Sequence, residues 1–223
     1  MELQTIVPLN NPIDQRGDQL EQLVRQMLID QRIQTPINSM NVLTNVEKTS
    51  KITELVQQIM ETLGLDLNDE SLRDTPKRVA KMYVNELFQG LSPESFPNCT
   101  TFDIKEISNV TQTNIPFTSM CEHHLMPFFG VAHISYQSNG RVIGLSKLNR
   151  VVNYFARRPQ VQERLTKQIH RALQLVLQSR DVRVIIEAEH FCIQARGVQQ
   201  KGSKTLTEET SGMYSNSKFI QKL

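Results

Sequence analysis

The chain has 223 residues, of which 39% are hydrophobic and 22% charged, enough apolar content to bury a core and too much for a disordered chain. A net charge of +2 excludes bulk attraction to nucleic acid, so any anion must be held by locally clustered Lys and Arg. Three cysteines cannot form a closed disulfide set, no apolar run reaches membrane-span length, and Met1-Glu2-Leu3-Gln4 lacks a signal-peptide pattern; the expectation is a reduced, soluble, cytoplasmic protein.

Residues 1–17 show no periodicity, contain Pro8 and Pro12, and are expected to form a flexible tail. From Asp18 the spacing of Leu20, Leu23, Val24, Met27 and Leu28 predicts an amphipathic helix ending before Thr35-Pro36. Ile52, Leu55, Val56, Ile59 and Leu63 define one face of a second helix, stopped by Gly64. A third helix is expected at Thr75-Pro76, with Thr as N-cap and Pro at the first helical position. It would turn Val79, Met82, Tyr83, Leu87 and Phe88 inward and stop at Gly90. The stretch from Ser92-Pro93 to Pro97 marks a boundary, giving an N-terminal helical region over residues 18–95 and a mixed domain over residues 96–223.

Beyond it, Phe102 to Ile107, Val110 to Phe117 and Val131 to Tyr136 are rich in β-branched residues and read as strands, with Asn139-Gly140 as a turn. Leu148 to Phe155 and Val161 to Leu177 read as helices, the second with Val161, Leu165, Ile169, Leu173 and Val176 on one face. Val182, Val184, Ile186 and Ala188 alternate as a strand, and His190 and Cys192 continue its parity, so a regular strand would point both to one side. Thr205 to Tyr214 is a candidate final strand. Strands, two helices and strands in that order suit an α+β fold, an antiparallel sheet with helices on one face. The other face needs a cover, which oligomerisation would supply.

Cys121-Glu122-His123-His124 and His190-Phe191-Cys192 carry two of the three cysteines and three of the five histidines. Thiolate and imidazole are ligands that zinc prefers, and Cys121 and His124 stand at a C-x-x-H spacing. That spacing alone fits equally a buried thiol beside a surface histidine; Cys192 is the natural third ligand, and three ligands leave a position open for water. Cys99 lies in a loop and reads as incidental, and His133 and His170 as ordinary. His123 and His190 would lie near the metal, either as proton carriers near neutral pH or as hydrogen-bonding supports of the ligands. Glu163 opens a helix where a carboxylate suits the dipole anyway; with Gln162 it would also match a planar donor edge such as guanine. Ser146, Lys147 and Arg150 open another helix, with Arg196 just past Cys192. Cations there run against the dipole, which a bound anion explains. Arg157 and Arg158 join that site or form a solvated face, the latter being favoured.

Asp74 to Tyr83 (DTPKRVAKMY), Cys121 to His124, Ile143 to Arg150 (IGLSKLNR) and Arg158 to Leu165 (RPQVQERL) closely resemble GTP cyclohydrolase I, and His190-Phe191-Cys192 with Ala195-Arg196-Gly197-Val198 completes the match. The resemblance runs from Leu65 to Gly197. It implies a tunnelling fold (T-fold), with a four-stranded antiparallel sheet and two helices on one face, behind an N-terminal helical region. It also implies a homodecamer with active sites at subunit boundaries, converting GTP and water to 7,8-dihydroneopterin triphosphate and formate. By that resemblance Cys121, His124 and Cys192 bind zinc, and a water so activated attacks C8 of the guanine. His123 protonates N7, His190 assists proton transfer, and Glu163 with Gln162 anchors the guanine. Ser146, Lys147, Arg150 and Arg196 hold the triphosphate, with Arg78 from a neighbouring subunit. Two other readings are a non-enzymatic zinc-stapled oligomer that binds purines or pterins, and another tunnelling-fold enzyme, against which the Cys121, His124, Cys192 set argues.

Overall fold

A computed structural model describes residues 17–38, 40 and 43–215. Nearly all of the tail expected over residues 1–17 lies outside the described residues; Gly17 already opens the first helix. Three helices lead the chain: α1 (Gly17–Asp30), α2 (Asn45–Thr62) and α3 (Thr75–Met82). The chain begins α2 with a reciprocal cap, in which the Thr44 hydroxyl accepts from the Glu47 backbone N–H and the Glu47 carboxylate accepts from the Thr44 N–H. Asp74 rather than Thr75 precedes the first turn of α3, which continues through a π-helical turn at Tyr83–Leu87. Gly90 follows, and its N–H donates to the Arg157 carbonyl at 3.0 Å. A Cβ there would stand 2.1 Å from the Tyr154 carbonyl oxygen, so only glycine permits this approach.

The rest is β1 (Thr101–Asp103), β2 (Asn109–Cys121), β3 (Pro127–Gln137), β4 (Arg141–Ile143), α4 (Leu145–Ala156), β5 (Pro159–Gln160), α5 (Gln162–Leu177), β6 (Val182–His190), α6 (Phe191–Gln194) and β7 (Thr205–Thr210). The expected four-stranded antiparallel sheet is present as β2-β3-β6-β7, but a fifth strand, β5, adds a two-residue parallel pairing beside β2. Of the strand expected over Phe102 to Ile107, only the start pairs, with the short β4, in a separate two-stranded sheet. The final strand ends at Thr210 rather than Tyr214.

Alternation along β3 and β6 puts Ala132, Ile134, Tyr136, Val182, Val184, Ile186 and Ala188 on one face. All are fully buried or within 1% of it, under Leu148, Val151, Val152 and Phe155 of α4 and Leu165, Ile169, Leu173 and Val176 of α5. Leu20, Val24 and Leu28 of α1 join the same core. The opposite face of the sheet carries Phe129 and Leu206, exposed at 39% and 61%. Most of the apolar stripe of α2 also faces outward, with Leu55 at 57%, Ile59 at 58% and Leu63 at 71% exposed. No helix among the described residues is long and apolar enough to cross a membrane.

Candidate active site and metal centre

Three chain segments meet at one end of the sheet, and the strand register explains why. β2 runs as far as Cys121 and returns through a tight turn: the Leu125 N–H donates to the Cys121 carbonyl, and the Cys121 N–H to that of Met126, both at 2.8 Å. Closing that turn requires Leu125 to adopt a φ of 49°, a left-handed conformation uncommon for a γ-branched residue. His123 and His124 stand on this turn. Pairing of Phe128 with His190 brings the end of β6 alongside it. β5 pairs with Met120 and Cys121, and the Glu122 N–H donates to the Gln160 carbonyl, so α5 starts there as well.

Cys192 reaches the turn by a different route from the expected one. The strand ends at His190, and Phe191–Gln194 is a single helical turn, so His190 and Cys192 do not share a strand face. Even so, the ligand atoms of Cys121, His124 and Cys192 lie within 4.8 Å of one another. Burial and the neighbouring Cys121 sulfur push the Cys192 thiol above its usual range. Two sulfurs and an imidazole nitrogen converging this closely form a donor set that suits zinc: a cation between them would remove the repulsion that two thiolates otherwise impose. Cys99 is elsewhere, wholly buried, its thiol pushed up to about 12 by desolvation and therefore inert.

The two adjacent histidines diverge. His124 joins the sulfurs, and its Nε2 accepts from Nη1 of Arg196 at 2.9 Å. His123 stays outside the trio, its side chain 65% exposed and its Nδ1 3.8 Å from the Cys121 sulfur. His190 lies flat on Phe128, with ring centroids 4.6 Å apart and planes 9° apart, and desolvation lowers its pKa against the opposing charge of Glu163. Glu163 is exposed on the first turn of α5. Its neighbour Arg164 turns back to Glu122 in a bidentate ion pair, with nitrogen–oxygen distances of 2.6 and 3.1 Å. That guanidinium holds the Glu122 carboxyl below the usual carboxylate range. It also clasps the turn between Cys121 and Met126 to α5. Nothing in the spacing of Glu122 and Arg164, 42 residues apart, announces this pairing.

Gln162 was expected to help read a substrate edge, but only 2% of it is exposed and both ends of its amide are engaged within the chain. Arg158 also departs from expectation. It is not on a solvated face but 3% exposed, its guanidinium 4.3 Å from the Tyr154 ring centroid and 5.0 Å from that of Phe155, where cation–π attraction offsets part of its desolvation. Arg157 is partly exposed and reaches toward the Glu86 carbonyl.

Ser146, Lys147 and Arg150 are not brought to the Cys121, His124 and Cys192 cluster. They lie on the first turns of α4, whose Asn149 accepts from Gln112 near the start of β2. Cys121 is at the far end of that strand, on the order of 25–30 Å away along extended chain. Arg78, on α3, faces Asp74 at 3.6 Å.

The family model for GTP cyclohydrolase I matches residues 52–222. Among its relatives, GTP cyclohydrolase 1 of Aeromonas salmonicida is 48% identical over 86% of this chain and 88% of its own. GTP cyclohydrolase 1 of Flavobacterium johnsoniae is 49% identical over 77% of this chain and 78% of its own. The solved structure of the archaeosine synthase QueF-Like in the apo form overlaps 48% of this chain and 97% of its own, at 16% identity and a TM-score of 0.41.

Proposed function

The chain belongs to the GTP cyclohydrolase I family and is a GTP cyclohydrolase; from that premise we propose that it hydrolyses and rearranges GTP to 7,8-dihydroneopterin triphosphate and formate at a zinc centre formed by Cys121, His124 and Cys192. The convergence of those three ligand atoms within 4.8 Å is the observation that carries the reading. When bound there, zinc supplies Lewis acidity and lowers the pKa of a water toward neutrality.

The remaining chemistry belongs to side chains. Glu163 accepts from the guanine N1–H and N2–H2, two parallel donors that one carboxylate matches. His123, solvent-accessible beside the metal ligands, protonates N7 and makes C8 electrophilic. His190 carries protons as the imidazole ring opens and as the ribose later rearranges to a ketose. One water opens the ring, a second releases formate from the formamide, and one is lost as the ketose carbonyl condenses with the freed amine. The net consumption is one water, with no redox partner.

Ser146, Lys147, Arg150 and Arg196 hold the triphosphate, with Arg78 from a neighbouring subunit. Arg196 adjoins His124, but the α4 residues are too far from their own Cys121 for one nucleotide to bridge both. The site is therefore assembled between subunits, consistent with a homodecamer and with the outward apolar faces of α2 and the sheet. The deciding experiment incubates zinc-loaded protein with GTP and measures formate together with the fluorescence of oxidised neopterin. Both should appear in equal amounts; zinc-loaded protein that yields neither refutes the reading.

A further inference from the structure

The amide of Gln162 can be oriented from its surroundings alone. One end lies 3.0 Å from the Ile186 carbonyl, 3.0 Å from the Thr205 carbonyl and 3.1 Å from the Thr207 hydroxyl. Backbone carbonyls only accept, so that end must be the NH2 group. The other end, 2.7 Å from Nε2 of His190, must then be the carbonyl oxygen, which also only accepts. Nε2 of His190 therefore carries a hydrogen.

The supporting bonds agree with this direction. Thr207 meets Thr166 at 2.6 Å, and the Thr166 hydroxyl donates to the Gln162 backbone carbonyl at 2.8 Å. The two amide hydrogens are shared among the Ile186 and Thr205 carbonyls and the Thr207 hydroxyl, while Thr207 donates to Thr166 and Thr166 back to the Gln162 backbone, so every donor has an acceptor. A flipped amide would set its oxygen against two carbonyl oxygens and its NH2 against an Nε2 forced to accept. Phe128 holds the plane of the imidazole while Gln162 holds its edge.

We propose that Gln162 is a positioning residue that fixes His190 in the Nε2–H tautomer, leaving Nδ1 as the only nitrogen of the neutral ring able to accept a proton and denying Nε2 to a metal. The proposal rests on the proton-transfer role of His190 given above, whereas the tautomer itself is independent of that role. It also gives β7 a function, since Thr205 and Thr207 hold the amide from that strand.

The test is magic-angle-spinning NMR of the zinc-loaded protein labelled with 15N-histidine, with the His190 signals identified by their loss in His190→Asn. The expected spectrum has a protonated Nε2 and a bare Nδ1; a protonated Nδ1 with a bare Nε2 overturns the proposal. In Gln162→Met the signal should become a mixture of tautomers. Its kcat should fall about 10- to 100-fold, with KM for GTP and zinc content nearly unchanged, as when the hydrogen-bond partner of a site residue is removed. A tenfold or larger rise in KM with kcat preserved would put Gln162 against the guanine and overturn the proposal. If Gln162→Met does not fold, Thr207→Val, which weakens the amide's support without touching His190, should shift the same signal; an unchanged tautomer there together with a bare Nε2 in the parent counts against it. Wild-type protein showing the Nε2–H tautomer but making no formate would refute the functional reading and leave the tautomer assignment standing.

Discussion

Adjacent residues on the turn after Cys121 are proposed to do different work because the turn sends them in different directions. His124 converges with two sulfurs, whereas His123 stays largely in solvent. Cys192→Ser should therefore lose both zinc and turnover, while His123→Ala should retain about one zinc per chain and lose at least about 100-fold in kcat, the usual contribution of a general acid. Metal analysis alongside steady-state assay separates the two, and release of zinc by His123→Ala would reverse the assignment. His170 gives a second residue-scale test. It is wholly buried, with Nε2 against the Val182 carbonyl and the Ser211 hydroxyl and Arg171 beside it, and desolvation lowers its pKa to about 4. The unfolded chain takes up this proton below the ordinary histidine value of 6.5 and the folded chain only below about 4. Stability tied to the neutral ring is thus fully present above pH 6.5 and is lost as pH falls toward 4. The loss is on the order of 3 kcal/mol. Calorimetric Tm values across that range should fall in the wild type and show a flatter acid limb in His170→Gln.

At the scale of elements, the site depends on strand register. β3 lies between β2 and β6, and its alignment with both brings the hairpin turn and Cys192 together. Gly130, in the middle of that strand, pairs with Phe117 on one side and Ala188 on the other. A Cβ at Gly130 would stand 1.9 Å from the Glu187 carbonyl oxygen and 2.7 Å from the Ala188 Cα, both backbone atoms that cannot swing aside. Gly130→Ala should push β3 from β6 and destabilise the protein by at least about 1–3 kcal/mol, the ordinary cost of overpacking. The measurements are a lower Tm and a lower zinc affinity in the same variant; an unchanged Tm would contradict the close approach. The element that departs most usefully from its expected form is the segment after His190. Alternation predicts continued strand through Cys192, but a helical turn takes over at Phe191. Period-two spacing is legible only while a strand lasts, and the point at which pairing ends depends on neighbouring strands.

For the whole molecule, the decisive fact is separation. Cys121, at the end of β2, and the basic first turn of α4 lie toward opposite ends of the same sheet, so a triphosphate held by that turn, as proposed, calls for a second chain. Cys192→Ser disables one end and Lys147→Ala the other, and each protein alone should be inactive or nearly so. Mixed oligomers formed by co-expression should regain a substantial fraction of wild-type activity, because some sites then pair an intact metal centre with an intact phosphate-binding turn. Failure of every mixture to exceed the parent variants would argue for sites built within single chains. The exposed stripe of Leu55, Ile59 and Leu63 on α2 is legible as a helix face from its spacing, but spacing cannot tell whether such a face meets this chain's core or another chain.

The amino-acid sequence by itself determined most of the longer elements and singled out the candidate ligand residues. Apolar periodicity defines α1, α2 and α5, β-branched alternation defines β3 and β6, and the rarity of Cys and His singles out Cys121, His124 and Cys192. These are properties of residue type and short spacing, written locally in the chain. Tertiary structure alone decided the turn that separates His123 from His124, the clasp between Glu122 and Arg164, the burial of Arg158 over two aromatic rings, and the amide of Gln162 facing His190 instead of open space. Each depends on side chains from segments distant in the chain, whose meeting is set by strand register and helix packing. Polar groups gain or lose most of their effect according to burial and partner, and no local pattern encodes either.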